Sequence, residues 1–292
     1  MDSANHRAIL STWNGFTIVD TTTQTVTSTI QVAPSENFGF DSVHQRIIAP
    51  FYECSSSHSG KGDAPTFCGD YKTPDGKPIT HGLNVIDLTD NTVYTYQDAA
   101  AEDPTAPVGD EPDSAAADPT SQVIVIPSEG GGFQNVIDLS QAHFDKATKS
   151  VTAPNHRIQN QGLEGVAVEP TSHFAFWEEE HASDVGVIDL NAANAGGGTF
   201  VHASMPSVPG GNSWSNLGDP HGIAVTTGIA DGKAMGFVVS SDYTWVARVD
   251  LAKVAAMGAA DSGGANVDIS SAVTYLGARI PRGTSPDAGT TR

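Results

Sequence analysis

The 292-residue sequence predicts an all-β fold, a five-bladed β-propeller of four-stranded antiparallel blades, and three observations carry that expectation. A short phrase, an apolar pair or triplet followed by Asp and often by Leu, occurs five times. Its copies are evenly spread, and the interval across the joined chain ends matches the others. Each copy also sits in the same succession of short β-branched or aromatic runs divided by Gly, Pro, Asn, Asp and Thr. Regular recurrence of this kind marks an architecture whose units bury their faces only against one another.

The five copies are Phe16-Thr17-Ile18-Val19-Asp20, Asn84-Val85-Ile86-Asp87-Leu88, Asn135-Val136-Ile137-Asp138-Leu139, Gly186-Val187-Ile188-Asp189-Leu190 and Ala247-Arg248-Val249-Asp250-Leu251. The intervals between successive Asp residues are 67, 51, 51 and 61, and the path from Asp250 through both termini to Asp20 adds 62. Each phrase reads as the third strand of a blade. Second strands are expected at Ala8-Ile9-Leu10, Ile47-Ile48-Ala49, Val123 to Ile126, Phe174 to Trp177 and Gly236 to Val239. Innermost strands are clearest at Gly165 to Val168 and Gly222 to Val225, and an outer strand at Thr25 to Ile30. The chain thus begins in a second strand. The missing innermost strand of that blade is expected from the C-terminal tail, around Arg282 to Thr291, which would close the ring. A solenoid would have a shorter period and capping units, so residues 1–292 are expected to form a single domain.

The recurring Asp, Asp118-Pro119 and Glu169-Pro170 read as turn residues, and Trp177 as core. Cys54 and Cys68, the only cysteines, bracket a Gly/Ser/Pro-rich insertion that spans about residues 54–81 of the second blade. A disulfide there fits a secreted or periplasmic protein. Residues 1–6 lack the apolar core of a signal peptide and no apolar run is long enough to span a bilayer, so a mature exported domain is expected. With 14 Lys and Arg against 34 Asp and Glu, the net charge of −20 opposes binding to nucleic acid or to anionic membranes.

Functional expectations come from aligning the blades. The residues just before the innermost strands are Glu36, Asp113, Glu164 and His221, a potential ring of metal ligands at the channel mouth. The ends of the second strands give another set: Asn14, Glu53, Glu129, Glu180 and Asp242. Facing carboxylates raise one another's pKa unless a counter-charge intervenes, and a divalent cation would supply it. Oxygen ligands favour Ca²⁺, whereas a contribution from His221 would favour Mn²⁺, Zn²⁺ or Fe²⁺. His221 is held between Pro220 and Gly222, and its imidazole is expected to be a ligand or catalytic group. His181 follows Glu178-Glu179-Glu180 and could act as a general base. The insertion, with His58 and Asp63, and the acidic stretch from Asp98 to Pro119 would overhang the same face and cover a small-molecule pocket.

The strand pattern resembles the bacterial surface-layer or YVTN-type propellers over the whole chain, and more distantly the gluconolactonase and senescence-marker-protein propellers. The resemblance implies the fold and carries no catalytic motif. The residues themselves suggest a metal-dependent hydrolase acting on a small lactone or ester, with Glu36, Asp113, Glu164 and His221 holding a divalent ion and His181 or a neighbouring acid moving the proton. The ligand set departs from the gluconolactonase-like pattern, a Glu, Asn and Asp set in six blades. An exported, non-catalytic propeller binding a sugar, a cell-wall polymer or a protein is the alternative. A glycosidase using two or three of Glu36, Asp113 and Glu164 is another. A monomer with a small-molecule or carbohydrate ligand is expected. No Walker loop, dinucleotide fingerprint, nucleophile elbow or zinc-finger spacing occurs.

Overall fold

The computed structural model describes residues 1–52, 54, 66–98, 100–159, 163–179, 184–191, 200–207, 220–227, 232–240, 246–257 and 267–276. The first sheet is an antiparallel meander of β1 (Arg7–Thr12), β2 (Gly15–Asp20) and β3 (Thr25–Gln31). The second runs β4 (Gly39–Asp41), β5 (Arg46–Phe51), β6 (Gly82–Asp87) and β7 (Thr92–Tyr96). In the third, β8 (Ala116–Asp118), β9 (Val123–Ser128) and β10 (Phe133–Asp138) follow the same order. The chain then makes a detour that the repeat does not announce. A hairpin of β11 (His143–Asp145) and β12 (Ser150–Thr152) crosses to the second sheet, where β12 pairs parallel with β7, before β13 (Asn155–Gln159) returns as the outer strand beside β10. Val151 drives the detour, since it is fully buried against Tyr94 and Tyr96 of the second sheet.

The fourth sheet holds β14 (Leu163–Glu169), β15 (Phe174–Glu179), β16 (Asp184–Asp189) and β17 (Phe200–Ser204). The fifth holds β18 (Pro220–Thr227), β19 (Ala234–Ser240), β20 (Val246–Asp250) and β21 (Val273–Leu276), with one short helix, α1 (Leu251–Ala255), after β20. All five expected second and third strands are present, and every third strand ends on its repeated Asp. Those carboxylates accept backbone N–H bonds from the next turn: Asp20 from Thr22 (2.7 Å), Asp87 from Thr89 (2.9 Å), Asp138 from Ser140 (2.9 Å), Asp189 from Asn191 (3.0 Å) and Asp250 from Lys253 (3.0 Å). The turns into β5, β9 and β15 share one geometry, with Gln45, Gln122 and His173 each at a φ between 56° and 61°.

Successive sheets face one another, and four apolar seams lie between them. Ile9, Phe16 and Ile18 meet Ile47 and Ile86 between the first and second sheets. Ile48 and Val85 meet Ile124 and Ile137 between the second and third. Val123, Val125 and Val136 meet Trp177 and Ile188 between the third and fourth, and Phe176 and Val187 meet Val238 and Val249 between the fourth and fifth. Alternation along β9 sends Val123 and Val125 to one seam and Ile124 and Ile126 to the other, which is why the run is apolar throughout. The strands β4, β8, β14 and β18 touch in series along one side. They are the inner strands of a propeller-like array, and the edge where they begin is its upper edge. The expected closing strand at 282–291 lies outside the described residues.

Cys54 and Cys68 form a disulfide, with Cα atoms 5.5 Å apart. The described part of the insertion packs down: Tyr71 and Ile79 bury against Phe51 and Ala33, and the Tyr71 hydroxyl accepts the Ala33 N–H (2.8 Å). No described helix is long and apolar enough to cross a membrane.

Candidate functional site

The segments leading into the inner strands are stitched together at the upper edge. Ser11 Oγ donates to Ser35 O (2.8 Å), the Asn37 N–H to Asp113 O (3.1 Å), and Ser114 Oγ to Glu164 O (2.5 Å), each bond joining one sheet to the next. Beside these links lies a cavity of about 400 Å³. Glu36, Phe38, Ser114, Glu164, Gly165, Glu178, Gly222 and Ile223 line it, so four of the five sheets contribute. No Lys or Arg is among its described lining residues.

Asp113, 6% exposed, sits among carboxylates. Burial first, then a hydrogen bond to Glu129 and the negative charges of Glu129, Glu36 and Glu164, push its pKa up to about 9. Two members of the first expected ring, Glu36 and Glu164, are therefore near enough to act on the third, Asp113, as is Glu129 of the second set. Glu36 is steadied by a hydrogen bond from the Tyr52 hydroxyl (2.7 Å). Glu164 and His221 occupy matching positions, because β14 carries a register shift between Leu163 and Gly165, and β18 one between Pro220 and Gly222. Bulges of this kind re-aim a side chain at a strand end. The His221 side chain lies outside the described residues, as do Glu53, His58, Asp63, Glu180, His181 and Asp242. Asn14 is exposed in the turn between β1 and β2.

The turn residues of the opposite edge behave as the sequence implies. Asp118 accepts from Thr120 N (3.1 Å) and Ser121 Oγ (2.6 Å), and Glu169 from Ser172 N (2.7 Å). Asp118 also bonds His173 Nδ1 of the fourth sheet, tying two sheets below the cavity.

Sequence reasoning missed two features. Glu178, 3% exposed, lines the cavity, although within the Glu178-Glu179-Glu180 run the sequence marks only Glu180 as a candidate ligand and Glu178 only as a possible partner for His181. Alternation along β15 turns Glu179 to the opposite face, where it meets Asp184 and His202. His202 Nε2 lies 3.1 Å from Asp184 Oδ2 and 3.5 Å from Glu179 Oε2. Burial alone would lower the His202 pKa, but bonds to Asp184 and Glu179 and their charges outweigh it and raise it to about 9. One ligand atom from each of the three lies within 4.8 Å of the others, a carboxylate and imidazole group able to hold a divalent metal. No repeated spacing flags these residues, since β17 is reached through residues 192–199, which differ from every other blade in sequence.

No protein-family model matches the chain, and no curated protein matches it in sequence. Among solved structures it is similar to a complex of KlAtg21 with the coiled coil of AgAtg16, at 9% identity over 84% of this chain and 63% of that one, with a TM-score of 0.50. It is also similar to an auxiliary nutrient binding protein from Bacteroides ovatus, at 13% identity over 85% of this chain and 53% of that one, with a TM-score of 0.50. A candidate 6-phosphogluconolactonase from Bacteroides fragilis aligns at 11% identity over 86% of this chain and 65% of that one, with a TM-score of 0.49. The chain thus spans less than two thirds of the length of each, and the likeness concerns the arrangement of sheets alone.

Proposed function

We propose that the chain is an exported, five-bladed propeller that holds a divalent cation at its upper edge and hydrolyses a small neutral lactone or ester in the adjoining cavity. The observation that carries this reading is the burial of Asp113 beside Glu129, Glu36 and Glu164 with no described cationic side chain in the cavity lining. Such a group is costly unless protonated or bound to a cation. Its donors are all oxygen and come from separate segments, which fits Ca²⁺. Should His221 join them, Mn²⁺ or Zn²⁺ would fit as well.

When bound, the cation would polarise a carbonyl oxygen. The chain's residues do the rest. Phe38 and Ile223 offer apolar wall to a carbon skeleton, while the acidic lining repels anionic substrates. His181, in the connection from β15 to β16, takes a proton from the water whose oxygen bonds to the acyl carbon; the acyl C–O bond to the alkoxide then breaks, and His181 returns the proton to that alkoxide, which leaves as a hydroxyl. The protein works as a monomer, and the Cys54–Cys68 disulfide supports an oxidising compartment.

Turnover of neutral lactones by chelator-treated protein, measured before and after adding Ca²⁺, tests the activity. Hydrolysis should appear only with the cation and fall to background in Glu164→Gln. Lactone binding without turnover would overturn the hydrolase reading in favour of a binding propeller.

A further inference from the structure

The Glu179, Asp184 and His202 group lies apart from the cavity, on the other face of β15. The register pairs Asp184 with Ser204 and Gly186 with His202, and one step beyond the Glu178–Val185 pair it sets Glu179 opposite Asp184. All three side chains therefore share one face of the fourth sheet at its upper edge. Three adjacent strands fix them, and the His202 separations of 3.1 and 3.5 Å resemble the spacing of ligand atoms around a small cation. Ligands about 2.1 Å from a tetrahedral ion stand roughly 3.4 Å from one another.

A second observation comes from the sheet across the seam. Trp177 shares the face of Glu179 and packs with Val125 and Val136 of the third sheet. Gln134 lies on the Val136 side of β10, one step nearer the upper edge, and is fully buried. Neither its amide nitrogen nor its amide oxygen has a hydrogen-bond partner among the described residues. A buried amide with both atoms unpaired is rare and costly, and the water shell of a cation in this seam would serve both.

From this geometry we infer a second cation site, at the upper seam between the third and fourth sheets, with Glu179, Asp184 and His202 as protein ligands. It takes a borderline divalent ion such as Zn²⁺ in preference to Ca²⁺, because imidazole is a poor partner for hard alkaline-earth ions. Gln134 bonds to the ion's remaining water. The ion ties the end of β15 to β16 and β17, and so fixes the strand from whose opposite face Glu178 lines the cavity.

Calorimetric titration of the chelator-treated full chain with ZnCl₂, and separately with CaCl₂, tests the site. One stoichiometric Zn²⁺ should bind at least about tenfold more weakly in His202→Gln and Asp184→Asn, and with wild-type affinity in Glu36→Gln. Substituting an ion-paired residue can itself disturb the sheet, so the wild-type chain supplies a second readout, protection of His202 from diethyl pyrocarbonate by added Zn²⁺. Equal Zn²⁺ affinity in folded His202→Gln, or no Zn²⁺-dependent protection of His202, would overturn the site and leave the three side chains as an ion-paired cluster.

Discussion

Asp113 concentrates the electrostatic argument. Its folded-state pKa of about 9 lies far above the ordinary 3.8 of an aspartate, so the folded protein holds this proton more tightly than the unfolded chain does. The associated stability is fully present below pH 3.8 and is lost as pH rises through about 9. In chelator-treated protein, melting temperatures should therefore decline across that window, after allowing for other titrating groups. Asp113→Asn should flatten the decline, and Ca²⁺ should oppose it by replacing the proton as counter-charge. Melts of Asp113→Asn that track wild type at every pH would contradict the placement of Asp113 in an acidic cluster. The same residue shows what blade alignment can reveal. Glu36, Asp113 and Glu164 were legible because each precedes an inner strand, whereas Glu178 was hidden in a run of three glutamates whose faces only strand register separates.

At the scale of the element, the repeated Asp is a turn-forming device used five times. Asp138 accepts the Ser140 N–H and a bond from Gln141 Nε2 (2.6 Å), capping the short 3₁₀ turn Leu139–Gln141. Asp138→Ala should cost about 0.5–2 kcal/mol by urea titration, as loss of a helix cap does, without altering cation content. An unchanged unfolding midpoint would remove the turn from the account. Second and third strands were readable because apolar runs such as Val123 to Ile126 are buried on both faces. The inner strands β4 and β8 could be located only by alignment to the other blades, since each is three residues long and has no apolar run of its own. The excursion of β11 and β12, whose single decisive contact, Val151, belongs to a different sheet, was not readable. Gly186 was read as part of the phrase, yet its role is steric: the Trp177 indole fills the place a side chain would take.

Across the whole molecule, the first and fifth sheets each leave a large apolar side chain exposed among the described residues. Leu10 on β1 is 50% exposed and Val239 on β19 is 41% exposed, each on the face turned away from its one neighbouring sheet. In a closed ring the fifth sheet would meet the first there, with the segment around residues 282–291 as the missing inner strand. Truncation after Leu276 should then lower the melting temperature of the whole domain; identical melts would argue for an open array. Such closure would bring a fifth segment to the upper edge, where Glu36, Asp113, Glu129 and Glu164 gather. The most direct test of that gathering is elemental analysis of protein purified without chelator, with calcium counted separately from transition metals. The account predicts one calcium per chain, absent from a folded Glu36→Gln/Asp113→Asn variant. Calcium-free wild-type protein, or the same calcium content in both, would contradict it.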